Sequence, residues 1–144
     1  MLWWMYALLA AVLWGVVYAI SGRLLGVLSP VGLYILTALP AVTVALLTPH
    51  NTVAQARRFL EAGPAFAGWA ALHLLCGIIA TLSLYKAIQG SNPTYVSLIE
   101  ITYPVFVALF AFLLFREQHL TPGVLAGAAL VLAGVSLIIL ASAK

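Results

Sequence analysis

Five long apolar stretches, punctuated by short pieces rich in Gly, Pro, Asn and Ser, constrain this chain more than any other feature. They run approximately over residues 2–20, 30–47, 65–85, 93–115 and 123–141. A bilayer core of about 30 Å is crossed by roughly 20 apolar residues rising about 1.5 Å each, and each stretch comes close to or meets that length. The pieces between them are SGRLLGVLS, TPHNTVAQARRFLEAGP, KAIQGSN and REQHLTP, where helix breakers concentrate. The expected fold is all-α, a polytopic membrane protein with five transmembrane helices in a single domain over residues 1–144. In the second connection Val53, Ala56 and Leu60 fall on one side, and Gln55, Arg58 and Glu61 on another, which suits a short interfacial helix. The first stretch has no Lys or Arg before Arg23, unlike the basic start of a signal peptide, so it is read as a retained helix.

Composition excludes most other classes. The chain is 65% hydrophobic and 6% charged, against roughly 45–50% and about 25% in soluble domains. That leaves too little charge to wet a globule, and the bilayer is the expected surrounding. The net charge of +3 is spread thinly with no basic patch, which argues against nucleic acid as a partner. Cys76 is the single cysteine, and no Cys/His cluster has metal-ligand spacing, so neither metal nor cofactor is expected. No Ser/His/Asp spacing or phosphate-binding Gly loop is present, so an enzyme is the weakest reading.

Five spans place the termini on opposite sides. Arg57, Arg58 and Arg116 then fall on the N-terminal side, and Arg23, Lys86 and Lys144 on the other. The positive-inside rule finds no difference in that count. One reading is dual topology, with copies inserted both ways and paired antiparallel. The other discounts Arg23 and Lys86 as parts of helix ends, which leaves the N-terminus inside.

Glu100 is the chemically informative residue. It is the one ionisable group in PTYVSLIEITYPVFVALFAFLLF besides the tyrosines. Carboxylates inside spans are rare, face a bundle interior or cavity, and mark functional sites by default. Helical spacing puts Pro93, Ser97, Glu100, Tyr103, Pro104, Val107 and Ala111 on one stripe. Pro104 lacks the N–H that would bond the Glu100 carbonyl, so a kink and a freed acceptor are expected at one depth. Removal from water favours the protonated acid, which suits proton uptake and release. The plain alternative is a static ion pair with Lys86, which ends the third stretch.

Other faces supply candidate ligand contacts. The third stretch aligns Trp69, His73, Cys76, Ala80 and Ser83. His73 has two readings, a hydrogen-bonded packing residue or a relay. Trp14 lies too deep for the interfacial belt expected of Trp3, Trp4 and Tyr6, and shares a face with Ala7, Ala11 and Tyr18. Tyr34, Thr37 and Ala41 face one way in the second stretch, with Pro40 expected to kink it. Gly123, Gly127 and Gly134 give the last stretch a small-residue pattern suited to close helix packing or dimerisation.

The order of these features resembles the EamA domain of the drug/metabolite transporter superfamily. The likeness is carried by Trp14-Gly15, Ser29-Pro30 and the run EITYPVFVALFAFLLFREQHLTPGVLAGAALVLAGVSLI. Within that run Tyr103-Pro104 sits inside the fourth helix and Phe115-Arg116-Glu117 closes it. The resemblance implies two inverted five-helix repeats, of which these 144 residues hold one. A half-size unit is therefore expected to pair with a second copy, as an antiparallel homodimer, or with a sister half. Gly127 and Gly134 are also spaced like the dimerising helix of small multidrug resistance proteins, although the first helix here carries no acid. Glu117 is similar to the family's glutamate at the end of helix four, a topological or packing position.

The leading expectation is a multi-pass secondary transporter of the cytoplasmic (inner) membrane, a proton-coupled exporter of small amphipathic or cationic metabolites or drugs. Glu100 carries the proton or the substrate's positive group, and Trp14, Tyr18, Tyr34, Trp69, His73, Ser97 and Tyr103 contact the substrate. The alternatives are an exporter of amino acids or other metabolites, with Lys86 or Arg23 meeting a carboxylate, and a non-transporting membrane subunit that docks a partner.

Overall fold

Six of the seven prolines stand in the first two positions of helices, where a missing N–H costs nothing. The computed structural model describes residues 3–117 and 121–142. Its helices are α1 (Trp3–Leu24), α2 (Pro30–Leu47), α3 (Pro49–Glu61), α4 (Gly63–Gly90), α5 (Pro93–Glu100), α6 (Tyr103–Phe115) and α7 (Pro122–Ser142). Side chains reinforce several of the proline starts. Ser29 Oγ accepts the Gly32 N–H at 3.0 Å, and Asn92 Oδ1 accepts the Tyr95 N–H at 2.9 Å. Thr121 Oγ1 accepts from the Val124 N–H at 3.3 Å. Each such cap satisfies one orphan donor and contributes about 1 kcal/mol.

Among the described residues five spans are long and apolar enough to cross a membrane, with α5 and α6 together forming the fourth. The second matches residues 30–47. The first continues past Ile20 to Leu24, and the third extends from 65–85 to Gly63–Gly90. Arg23 thus lies in the last turn of α1, and Lys86 lies inside α4. Long basic side chains tolerate such places because the stem stays apolar while the head reaches the interface. The last span begins one residue earlier and ends one later than the 123–141 estimate.

The helices cluster into two units. In the unit Ile20–Gly90, α2 packs on α4, and α3 packs on both. Its buried residues are Ser21, Leu25, Leu33, Tyr85 and Ile88, at the end of α1, the start of α2 and the end of α4. At the other end of α2, Thr48 caps both α2 and α3, and Ala62 alone separates α3 from α4. Gly63 turns the chain there with φ +84°, a conformation in which a Cβ is strained. The unit Met1–Ala19 with Ser91–Lys144 packs α5 on α7 and buries Val135. Elsewhere large apolar side chains are exposed, Leu47 by 76% and Leu130 by 75%. Such surfaces are stable against lipid and not against water.

The fourth span differs from the expected kink. Its helix stops at Glu100 and restarts at Tyr103, with Ile101 and Thr102 between. Those two residues have ψ −6° and −18°, close to the tighter 3₁₀ turn. The Val105 N–H donates to Thr102 three residues back, at 3.0 Å, and so passes over Ile101. Pro104 removes the helical donor to Glu100. Restoring that donor should heal the break. In Pro104→Ala, amide hydrogen exchange across residues 101–105 is expected to slow about fivefold, one net hydrogen bond's worth. Exchange as fast as in the unaltered chain would show that the break does not depend on the proline.

Candidate functional site

The break gathers acceptors. Glu100 is the final residue of α5, so its carboxyl stands at the helix C-terminus, where carbonyl oxygens carry partial negative charge. The carbonyls of Glu100 and Ile101 have lost their regular helical donors at the same place. Thr102 does not fill the gap, since its hydroxyl donates to the Ile99 carbonyl at 3.0 Å. Ser97, one turn before Glu100, donates its hydroxyl to the Thr94 carbonyl at 3.0 Å. That bond leaves the Ser97 oxygen lone pairs available as further acceptors. Glu100 is exposed from its own chain rather than sealed within it.

The described basic side chain of the same unit is Arg116, at the far end of α6, roughly 24 Å away by helix rise. Its guanidinium lies over the Phe112 ring, 5.9 Å from the centroid. Arg116 also closes α6 in the left-handed conformation, φ 59°, and the Glu117 N–H turns back to the Ala111 carbonyl at 3.3 Å. The Phe115-Arg116-Glu117 sequence is therefore a helix stop in structural terms.

Tyr103 opens α6 and is 60% exposed. A continuous helix would keep it on the Ser97–Glu100 stripe. The tighter turn rotates the chain about 20° more at each of the two linking residues, so α6 is offset from the face of α5. On α1, Trp14 and Tyr18 lie one turn apart with rings edge to face at 6.2 Å, a pair rather than two separate side chains. These five residues belong to the same unit as the break.

Tyr34, Trp69 and His73 belong to the other unit. Tyr34 is half-buried on α2, and its carbonyl accepts the Thr37 hydroxyl at 2.7 Å. Trp69 and His73 are exposed one turn apart on α4, and α2 runs unbroken through Pro40. On α7, a Cβ at Gly127 or Gly134 meets no described atom within 4 Å, so those glycines serve no close approach among the described residues. At Gly123 the nearest atom is Thr121 Oγ1, at 4.0 Å. The side chains of Trp3 and Trp4, and Lys144 as a whole, lie outside the described residues.

Sequence reasoning missed Ile101 and Thr102 as the linking turn. The signal was present in Thr102-Tyr103-Pro104, a helix-starting order placed inside an apolar run. No group of three or more His, Cys, Asp or Glu suited to a metal occurs among the described residues.

No curated protein and no solved structure matches the chain. The model of the EamA-like transporter family matches residues 1–140. With five apolar spans among its described residues and that match over nearly its whole length, the chain is a multi-pass membrane protein with a role in transport, and it belongs to the EamA-like transporter family.

Proposed function

We propose that the chain is a secondary transporter, a proton-coupled exporter of small amphipathic or cationic molecules in the cytoplasmic membrane, and that it works as a pair of five-helix units. The observation that carries this reading is the coincidence at Glu100. A carboxyl group and two carbonyls without helical donors meet at one break, at the C-terminus of α5. All three are acceptors, so the place favours a positive partner, either a proton on the acid or the charged nitrogen of a substrate. Occupying it with one excludes the other, and that exchange is the coupling. Tyr103, Trp14 and Tyr18 supply ring faces that attract a cation while tolerating many shapes. Tyr34, Trp69 and His73 are proposed as a further aromatic surface on the other unit.

In vesicles holding the purified protein, an imposed pH gradient is expected to drive uptake of a lipophilic organic cation. Glu100→Gln keeps the size of the side chain and removes the exchangeable charge, so uptake falls to the level of empty vesicles. Glu100→Asp keeps the charge and retains gradient-driven uptake. Wild-type transport by Glu100→Gln would remove the residue from coupling.

A second reading of the assembly is favoured by the placement of Arg23 and Lys86 inside α1 and α4. Discounting them leaves Arg57, Arg58 and Arg116 on the N-terminal side, an N-inside bias under the positive-inside rule. A chain with one orientation needs a sister half of opposite orientation, whereas dual topology permits an inverted pair of identical copies. Reporters fused after Lys144 decide between them. Signal from the outer side alone supports the sister half, and signal from both sides supports the inverted homodimer.

A further inference from the structure

We propose that α3 is a binding site for the headgroup of an anionic phospholipid. Its position is fixed by the chain. Thr48 alone joins it to the end of α2, and Ala62 alone joins it to the start of α4, both of them membrane spans. With one residue at each end, α3 cannot leave the level where the two spans emerge. Side chains pin it there. Thr52 donates its hydroxyl to the Ala45 carbonyl on α2 at 3.1 Å, and Phe59 meets Phe66 on α4 edge to face at 5.8 Å.

Those contacts settle which face remains open. Thr52 and Phe59 are seven residues apart, so they mark the side of α3 turned to its neighbours. Val53 and Leu60, each one residue on from that pair, lie around the helix from it and stay exposed, Leu60 by 78%. Held at the membrane surface, that apolar strip dips into the boundary between headgroups and acyl chains. Directly beside it Pro49, His50, Val53, Ala54 and Arg57 form one open face of the helix, all five of them exposed. His50 and Arg57 are again seven apart and share one side of the helix.

That face thus joins the apolar strip at Val53 to a basic edge at His50 and Arg57 at headgroup height, with Glu61 one turn beyond Arg57. That order matches a phospholipid, with an acyl chain along Val53 and Leu60 and the phosphate at Arg57. Arg57 offers a fork of N–H donors suited to two phosphate oxygens, and His50 offers a ring N–H. Arg58 lies farther around the helix, beside Gln55, Phe59 and Phe66, and adds to the positive field from outside that face. A zwitterionic headgroup brings its own ammonium to the arginine, so the occupant is anionic.

Native mass spectrometry of the purified protein, titrated separately with phosphatidylglycerol and phosphatidylethanolamine, tests the assignment. Arg57→Gln is expected to weaken phosphatidylglycerol binding about fivefold, the contribution of one basic residue near an anionic surface. Phosphatidylethanolamine binding stays unchanged, and Arg57→Lys retains most of the anionic preference. Equal phosphatidylglycerol affinity in Arg57→Gln and the unaltered protein would overturn the site. An equal loss in Arg23→Gln would also overturn it, by reducing the effect to net charge. Arg57 is exposed, so its replacement leaves the fold intact.

Discussion

Inside hydrocarbon there is no water to bond a free N–H or carbonyl, and that constraint organises the molecule. It accounts for the all-helical spans and for prolines confined almost wholly to helix starts. It also accounts for the hydroxyls. Those of Thr37, Thr43, Ser97, Thr102 and Ser136 each donate to a carbonyl three or four residues back on their own segment. Polar side chains in the spans are settled locally, so few bonds hold one helix to another. Thr52, reaching from α3 to α2, is an exception at the membrane edge, where a helix must be fixed sideways.

The break between α5 and α6 runs against the same constraint. A carboxylate at the centre of a span costs about 2.5–3.5 kcal/mol on insertion scales. Each carbonyl left without a donor adds about 1–3 kcal/mol if it stays dry. Two such carbonyls beside Glu100 outweigh the net contribution of about 1 kcal/mol from a cap such as Asn92. Under the proposed function, water or the transported cation supplies the missing partner. Irregular backbone at membrane depth is tolerated where it lines a cavity, and transporters use it to form sites. The break and the acid are therefore one feature.

Much of this was legible in the residues. Five apolar runs of spanning length are visible directly, and the alternation of Val53, Ala56 and Leu60 with Arg58 and Glu61 foretold α3. Helix ends were harder to read. Lys86 and Gln89 suggest a loop, yet α4 continues to Gly90, because snorkelling side chains do not stop a helix. The difference between a kink and a break at Pro104 was hidden for another reason. A proline removes one donor, but whether the turn before it tightens depends on how Thr102 and Val105 rebond, which periodicity does not encode. The Trp14–Tyr18 ring contact was readable as a shared face and no further, since ring angles follow from rotamers.

Coupling at the break requires that Glu100 be reachable from water, and cysteine accessibility measures that directly. Cys76 is first replaced by Ser, and single cysteines are placed at Glu100, at Val107 farther along α6, and at Gln55 on α3. A membrane-impermeant maleimide is then applied to open membranes. The account predicts that positions 100 and 55 are labelled while 107 is not. Position 100 remaining unlabelled, as silent as 107, would contradict it.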